Sequence, residues 1–166
     1  MTPHGLRPAP EGGAAGSRRL RAGFRERVPV LAAALWWGSL SAIGFLAVPL
    51  LFAHLPTPAL AGQVAAKLFA AQTWVAVGCG MLLLFASRSG HEPMRMDWAD
   101  GALPFVFAGV LLALLAEFAV APRIIARDDL RLWHGMGSAM YVLQWCCAGV
   151  TLWKTSAPAA RSSGPS

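Results

Sequence analysis

The sequence predicts an all-α fold: a four-helix transmembrane bundle running up-down-up-down behind a disordered basic amino-terminal arm. Three observations predict it. Of the 166 residues 56% are hydrophobic and only 13% charged, an apolar load that a soluble fold of this length could not hide. The charges fall in blocks, gathered at the amino end and between long apolar stretches that hold almost none. Four of those stretches are each long enough to cross a bilayer, for which about 20 residues suffice.

Residues Met1 to Arg27 are rich in Gly, Pro, Ala and Arg and have no apolar periodicity, so 1–27 reads as the disordered arm. A secretory signal would follow such a region with ~7 to 15 apolar residues and a cleavage site. The run that follows here is longer. From Val28 to Ala53 there is no charge, and at ~1.5 Å per residue that stretch reaches ~39 Å, beyond a ~30 Å hydrocarbon core. The first helix, 28–54, therefore spans, tilted or with its ends among headgroups. Pro49 withholds a donor from the Phe45 carbonyl, which reads either as a bend near that helix's end or, more in keeping with membrane helices, as a tolerated proline.

Thr57 and Pro58 supply a cap and a first-turn proline for the second helix, 58–87, whose Gln63 and Lys67 place its opening turns in the interface. Ser87 to Asp100 is a polar loop. The third helix, 101–122, has Pro104 in its first turn and Glu117 about one turn from its far end. A short polar connection leads into the fourth helix, 130–153, so the four-helix domain covers 28–154 and a disordered tail 155–166. No internal repeat is visible. Small residues supply the packing surfaces that lipid cannot drive together, with Gly38 and Gly44 on the first helix and the Gly135/Ala139 pair on the fourth.

Arg and Lys counts set the orientation. Ten lie on the side of the amino arm, the Ser87–Asp100 loop and the tail, against four on the other, which predicts an inner-membrane protein with both termini cytoplasmic. Arg123, Arg127 and Arg131 recur every four residues as a basic helical stripe on the outer side, with Asp128 and Asp129 as candidate partners. A net charge of +6 does not imply nucleic acid, because six of the fourteen basic residues sit before residue 28 and not on a folded face. The partner expected is the lipid bilayer, with self-association into a homo-oligomer also open. Cys79, Cys146 and Cys147 fall in apolar stretches without CxxC spacing and read as small buried hydrophobes.

No phosphate-binding loop, nucleophile elbow, zinc-protease helix or paired-carboxylate pattern is present, so a soluble-type active site is not expected and no catalytic residue is assigned. Polar residues instead converge at one membrane face. His54 ends the first helix and His134 opens the fourth, and imidazole suits haem iron, copper and zinc. Met136 and Met140, below His134, offer soft sulfur to copper. The blander alternative is that both His residues sit at headgroup level as helix-end hydrogen bonders. Gln63, Lys67, Glu117, Arg123 and Arg127 complete the outer polar cluster. An ionisable group within a span is costly, and Glu117 reads either as functional or as one half of an ion pair with Lys67, Arg123, Arg127 or His134. Trp36, Trp37, Trp98, Trp133 and Trp153 suit interfaces, whereas Trp74 and Trp145 read as deeper packing groups.

Trp37-Gly38-Ser39, Pro49, Phe52, Ala61-Gly62, Leu68-Phe69 and Trp133-His134-Gly135 occur in an order that resembles bacterial four-helix membrane proteins grouped as a domain of unknown function and related to eukaryotic transmembrane protein 205. The resemblance spans about Val28 to Lys154. It implies a four-helix inner-membrane fold and a remote kinship with copper-resistance D-type and haem-binding protoporphyrinogen oxidase-type membrane proteins, but it brings no activity. Similar proteins continue from the His-Gly with Ser and then Asn, whereas this chain has Ser138, Tyr141 and Gln144. Two functions follow: a structural or transport-related membrane module with an outer polar cluster, or a haem- or copper-handling protein ligated by His54 and His134. A third idea makes Glu117 the proton-transfer group of an enzyme.

Overall fold

Residues 12–88, 97–126 and 129–156 are described by a computed structural model, and helix is the only regular structure among them. Four rods result. The first comprises α1 (Gly12–Ala42), a π-helical turn (Ile43–Ala47) and α2 (Val48–His54). The second is α3 (Pro58–Arg88). The third comprises α4 (Asp97–Leu115), a second π-helical turn (Ala116–Val120) and α5 (Ala121–Ile125), and the fourth is α6 (Leu130–Ser156). Three stretches, Arg27–His54, Pro58–Arg88 and Gly101–Ile125, are long and apolar enough to cross a membrane.

The fourth rod, expected to span like the others, falls short of that apolar criterion. The reason lies in its composition, since Ser138, Tyr141, Gln144 and Thr151 interrupt an otherwise apolar sequence. Its length is ample: 27 residues at ~1.5 Å each reach ~40 Å.

Local chemistry explains the ends of the elements. Thr57 Oγ1 accepts the Leu60 N–H at 3.3 Å and Pro58 opens α3, where its missing N–H costs nothing. Asp129 Oδ1 accepts the Leu132 N–H at 3.3 Å and starts α6.

Each π turn precedes a proline in the same register. The Val48 N–H bonds the Ile43 carbonyl and Pro49 follows; the Ala121 N–H bonds the Ala116 carbonyl and Pro122 follows. A proline has no N–H to give the preceding turn, and widening that turn to the π register is how each rod continues past it. The first rod thus accommodates Pro49 with a π turn, and the third rod repeats the arrangement at Pro122.

Several boundaries differ from the sequence reading. Helix α1 extends back to Gly12, so part of the arm expected to be disordered is helical, in keeping with its Ala, Arg and Leu content. Pro104 lies inside α4, not in its first turn. Arg123 and Arg131 belong to different helices, so the four-residue repeat makes no single stripe. The disorder expected of residues 1–11 and 157–166, the loop over 89–96, Arg127 and Asp128 lie outside the described residues.

The rods touch as a ring: α1 packs on α3 and α6, and α4 packs on α3 and α6. Buried positions recur every three or four residues, as with Ala65, Gln72, Ala76, Cys79 and Leu83 on α3 and Ala102, Val106 and Ala113 on α4. Most are small, which lets backbones approach closely. Trp36, Leu40 and Leu83 are larger and fully buried, the Trp36 ring over Gly109, where a Cβ would stand 2.6 Å from Cη2. Large apolar side chains point outward instead, among them Leu35, Phe45, Trp74, Phe107 and Phe118. Trp74, expected as a packing group, is thus exposed, and Trp36 is enclosed by its neighbours. The Gly135/Ala139 pair also faces outward, with nothing within 4 Å of a Cβ at Gly135.

Candidate functional site: a polar layer inside the helices

Polar side chains from three rods meet in the interior. Ser39 and Ser41 turn their hydroxyls back on the Trp36 and Trp37 carbonyls, at 2.9 and 2.8 Å, as short side chains in helices do. Each then serves a neighbouring rod. Gln72 Nε2 donates to Ser39 Oγ at 3.0 Å, and Trp145 Nε1 donates to Ser41 Oγ at 2.8 Å.

Tyr141 makes the most intimate of these contacts. Its hydroxyl donates to the Leu40 carbonyl at 2.7 Å, and the Gly44 backbone is a second hydrogen-bonding neighbour of the same oxygen. A phenol therefore inserts beside the helical ladder where the π turn begins. Gly44 is what lets it in, because a Cβ there would stand 2.6 Å from Tyr141 Cε1. Aromatic rings wall the contact, Phe69 edge-on to Tyr141 at 5.2 Å and Trp145 between Trp37 at 5.6 Å and Phe45 at 5.7 Å.

Among the described residues three buried polar side-chain atoms lack a hydrogen-bond partner: Trp36 Nε1, Gln72 Oε1 and Gln144 Nε2. Gln72 is 3% exposed and Gln144 4%. Such orphans are rare in folded chains and costly, at about 1–3 kcal/mol each. Gln72 Oε1 is an acceptor and Gln144 Nε2 a donor.

Glu117 is the acid of the third rod's apolar stretch. It lies on the second π turn, half-buried, in register with buried Ala113 and Val120. That turn packs on both α3 and α6. No ion pair or hydrogen bond joins Glu117 to any described residue, so the expected partnerships with Lys67, Arg123 and His134 are not made.

The other candidates stand toward the corner ends of the rods. His54 and His134 are exposed, and each ring places Nδ1 on its own helix, against the Leu50 carbonyl at 3.1 Å and the Leu130 carbonyl at 3.2 Å. Met136, Gln63 and Lys67 are exposed. Arg123 stacks on the Trp133 ring at 5.5 Å. Among the described residues no three His, Cys, Asp or Glu side chains converge as metal ligands. Cys79 is buried as expected, but Cys146 is exposed.

The sequence reading gathered polar residues by their nearness to helix ends and so passed over Gln72, Thr73 and the two serines. A glutamine in the apolar body of the second helix was the available signal.

A family model described as a domain of unknown function, DUF4149, matches residues 31–133. The chain belongs to this family. The DUF4149 match holds Ser39, Ser41, Gly44, Gln72 and Glu117, and it ends at Trp133, before Tyr141, Gln144 and Trp145. No curated protein and no solved structure matches the chain.

Proposed function

We propose that this DUF4149 protein is a transport-related module of a bacterial inner membrane, in which all four rods span, alternate in direction and leave both termini cytoplasmic. Its interior polar layer gives a small polar solute hydrogen bonds at membrane depth. One observation carries the reading: Gln72 and Gln144 are buried among apolar helices with an acceptor and a donor unpartnered. An unpartnered buried polar atom is a cost to a purely structural bundle, and polar groups within a span mark pathways by default. Contacts running in opposite chain order, Gly109 with Cys147 and Gly137 with Val120, support alternating directions. Kinship with eukaryotic transmembrane protein 205 and, remotely, with copper-resistance D-type proteins is part of this proposal and rests on the order of the Trp37-Gly38-Ser39 and Trp133-His134-Gly135 pieces.

Vesicles holding the purified chain test the reading. Wild-type vesicles are expected to admit small neutral polar solutes faster than empty ones in light-scattering shrinkage assays, and Gln72→Leu with Gln144→Leu abolishes the difference. Equal permeation by wild type and double variant sinks the transport reading. The haem or copper alternative rests on His54 and His134 alone, whose Nδ1 contacts with their own helices leave each Nε2 open to a ligand. A Soret band, or copper lost on His134→Ala, would support it.

A further inference from the structure

Glu117 is a carboxylate on a candidate span with no cation beside it among the described residues, and the groups that surround it are of one kind. The turn that carries it packs on α3 and α6. From α3, Gln72 shares nearly its level: Gly80 packs on Val106 and Val110, and Gln72 lies about two turns before Gly80 as Glu117 lies about two turns beyond Val110. From α6, Gly109 touches Cys147, which puts Tyr141 and Gln144 within about one turn of the same level. The other polar groups at that level are neutral and engaged, Thr73 with the Phe69 carbonyl and Tyr141 with the Leu40 carbonyl. On the first rod Ser39 and Ser41 are the polar groups there, and neither titrates. The cations Lys67 and Arg123 and the imidazole of His134 are exposed, toward the corner end.

We propose that Glu117, Gln72 and Gln144 form a proton-carrying site, in which the Glu117 carboxylate takes up and releases the proton and the two amides hold the water that delivers it. This deepens the transport reading and rests on it. In the step, a hydronium gives its proton to a Glu117 carboxylate oxygen, an O–H bond forms on the carboxyl, and neutral water stays between the amides. Release reverses the step toward the opposite side. Water fits the amide pair because it can donate to Gln72 Oε1 and accept from Gln144 Nε2 at once. A bare metal cation does not fit, since it needs several oxygen ligands and is opposed by an amide N–H aimed at it. The π turn adds to the site. Pro122 offers no N–H to the Glu117 carbonyl in the π register, which leaves a further acceptor beside the carboxylate.

The full chain in liposomes with a trapped pH-sensitive dye, under a potassium diffusion potential, reads the flux. Wild type is expected to carry protons, Glu117→Gln to fall to the level of empty liposomes, and Glu117→Asp, which keeps the carboxyl, to retain flux. Infrared difference spectra across a pH step should show a carboxyl band that Glu117→Gln removes. Wild-type flux in Glu117→Gln, or wild-type liposomes no leakier than empty ones, overturns the proposal. If neutral-solute permeation still depends on Gln72 and Gln144 while Glu117→Gln conducts as wild type does, the proton assignment alone falls.

Discussion

At the scale of single residues, Gly44 and Tyr141 make the sharpest claim. A methyl group at Gly44 would collide with the Tyr141 ring, and the ring cannot retreat without losing its bond to the Leu40 carbonyl. Gly44→Ala should therefore cost about 1–3 kcal/mol, the usual penalty for overpacking a filled site. Gly78→Ala is the control, since a Cβ there meets nothing within 4 Å and alanine favours helix by ~0.5–1 kcal/mol over glycine. Thermal unfolding in detergent should lower the midpoint for the first variant and hold or raise it for the second. Equal behaviour would remove Tyr141 from the first rod's ladder. Tyr141→Phe keeps the ring and drops the hydroxyl, so a smaller loss of about 0.5–1.5 kcal/mol is expected. Gln144→Leu should move the other way, because it deletes an unpartnered amide and leaves an apolar group of similar size.

At the scale of elements, the paired π turns matter most. Phe45 and Pro49 on the first rod match Phe118 and Pro122 on the third, each set spanning the end of a π turn. Both rods thus carry a weakened ladder in the same relative place, and such turns recur at functional sites. Pro49→Ala restores an N–H to the turn. Hydrogen exchange should then slow at the amides of residues 44–50, and unchanged exchange there would show that the π turn does not depend on the proline. The fourth rod makes a second element-scale prediction. With Gln144 and Thr151 covered by its neighbours in the fold, α6 is polar only when alone. Placed singly in a membrane-insertion reporter, 130–156 should insert less efficiently than 101–125.

For the whole molecule, the distribution of size is the informative quantity. Small residues fill the interior and large apolar ones face outward, as expected of rods held by close backbone contact within lipid. Under the proposed reading the chain should stay in the membrane fraction through carbonate and urea washes. Release as a water-soluble monomer would contradict every span drawn above.

Hydropathy and turn chemistry by themselves determined the helical class, the apolar stretches of the first three rods and the corner at Thr57 and Pro58, because those depend on local composition and on which neighbours can cap or break a helix. The sequence also signalled Glu117, by placing an acid in an apolar run. Local pattern left open which polar groups share a depth. Gln72 meets Ser39, Trp145 meets Ser41 and Tyr141 meets the Leu40 carbonyl only when the rods pack, since the pairing of levels between helices is set by which small residues let backbones approach, as Gly44 and Gly109 do. The same packing turned Trp36 inward and Trp74 outward, for an indole in an apolar helix is equally at home on either face until a neighbour claims one of them.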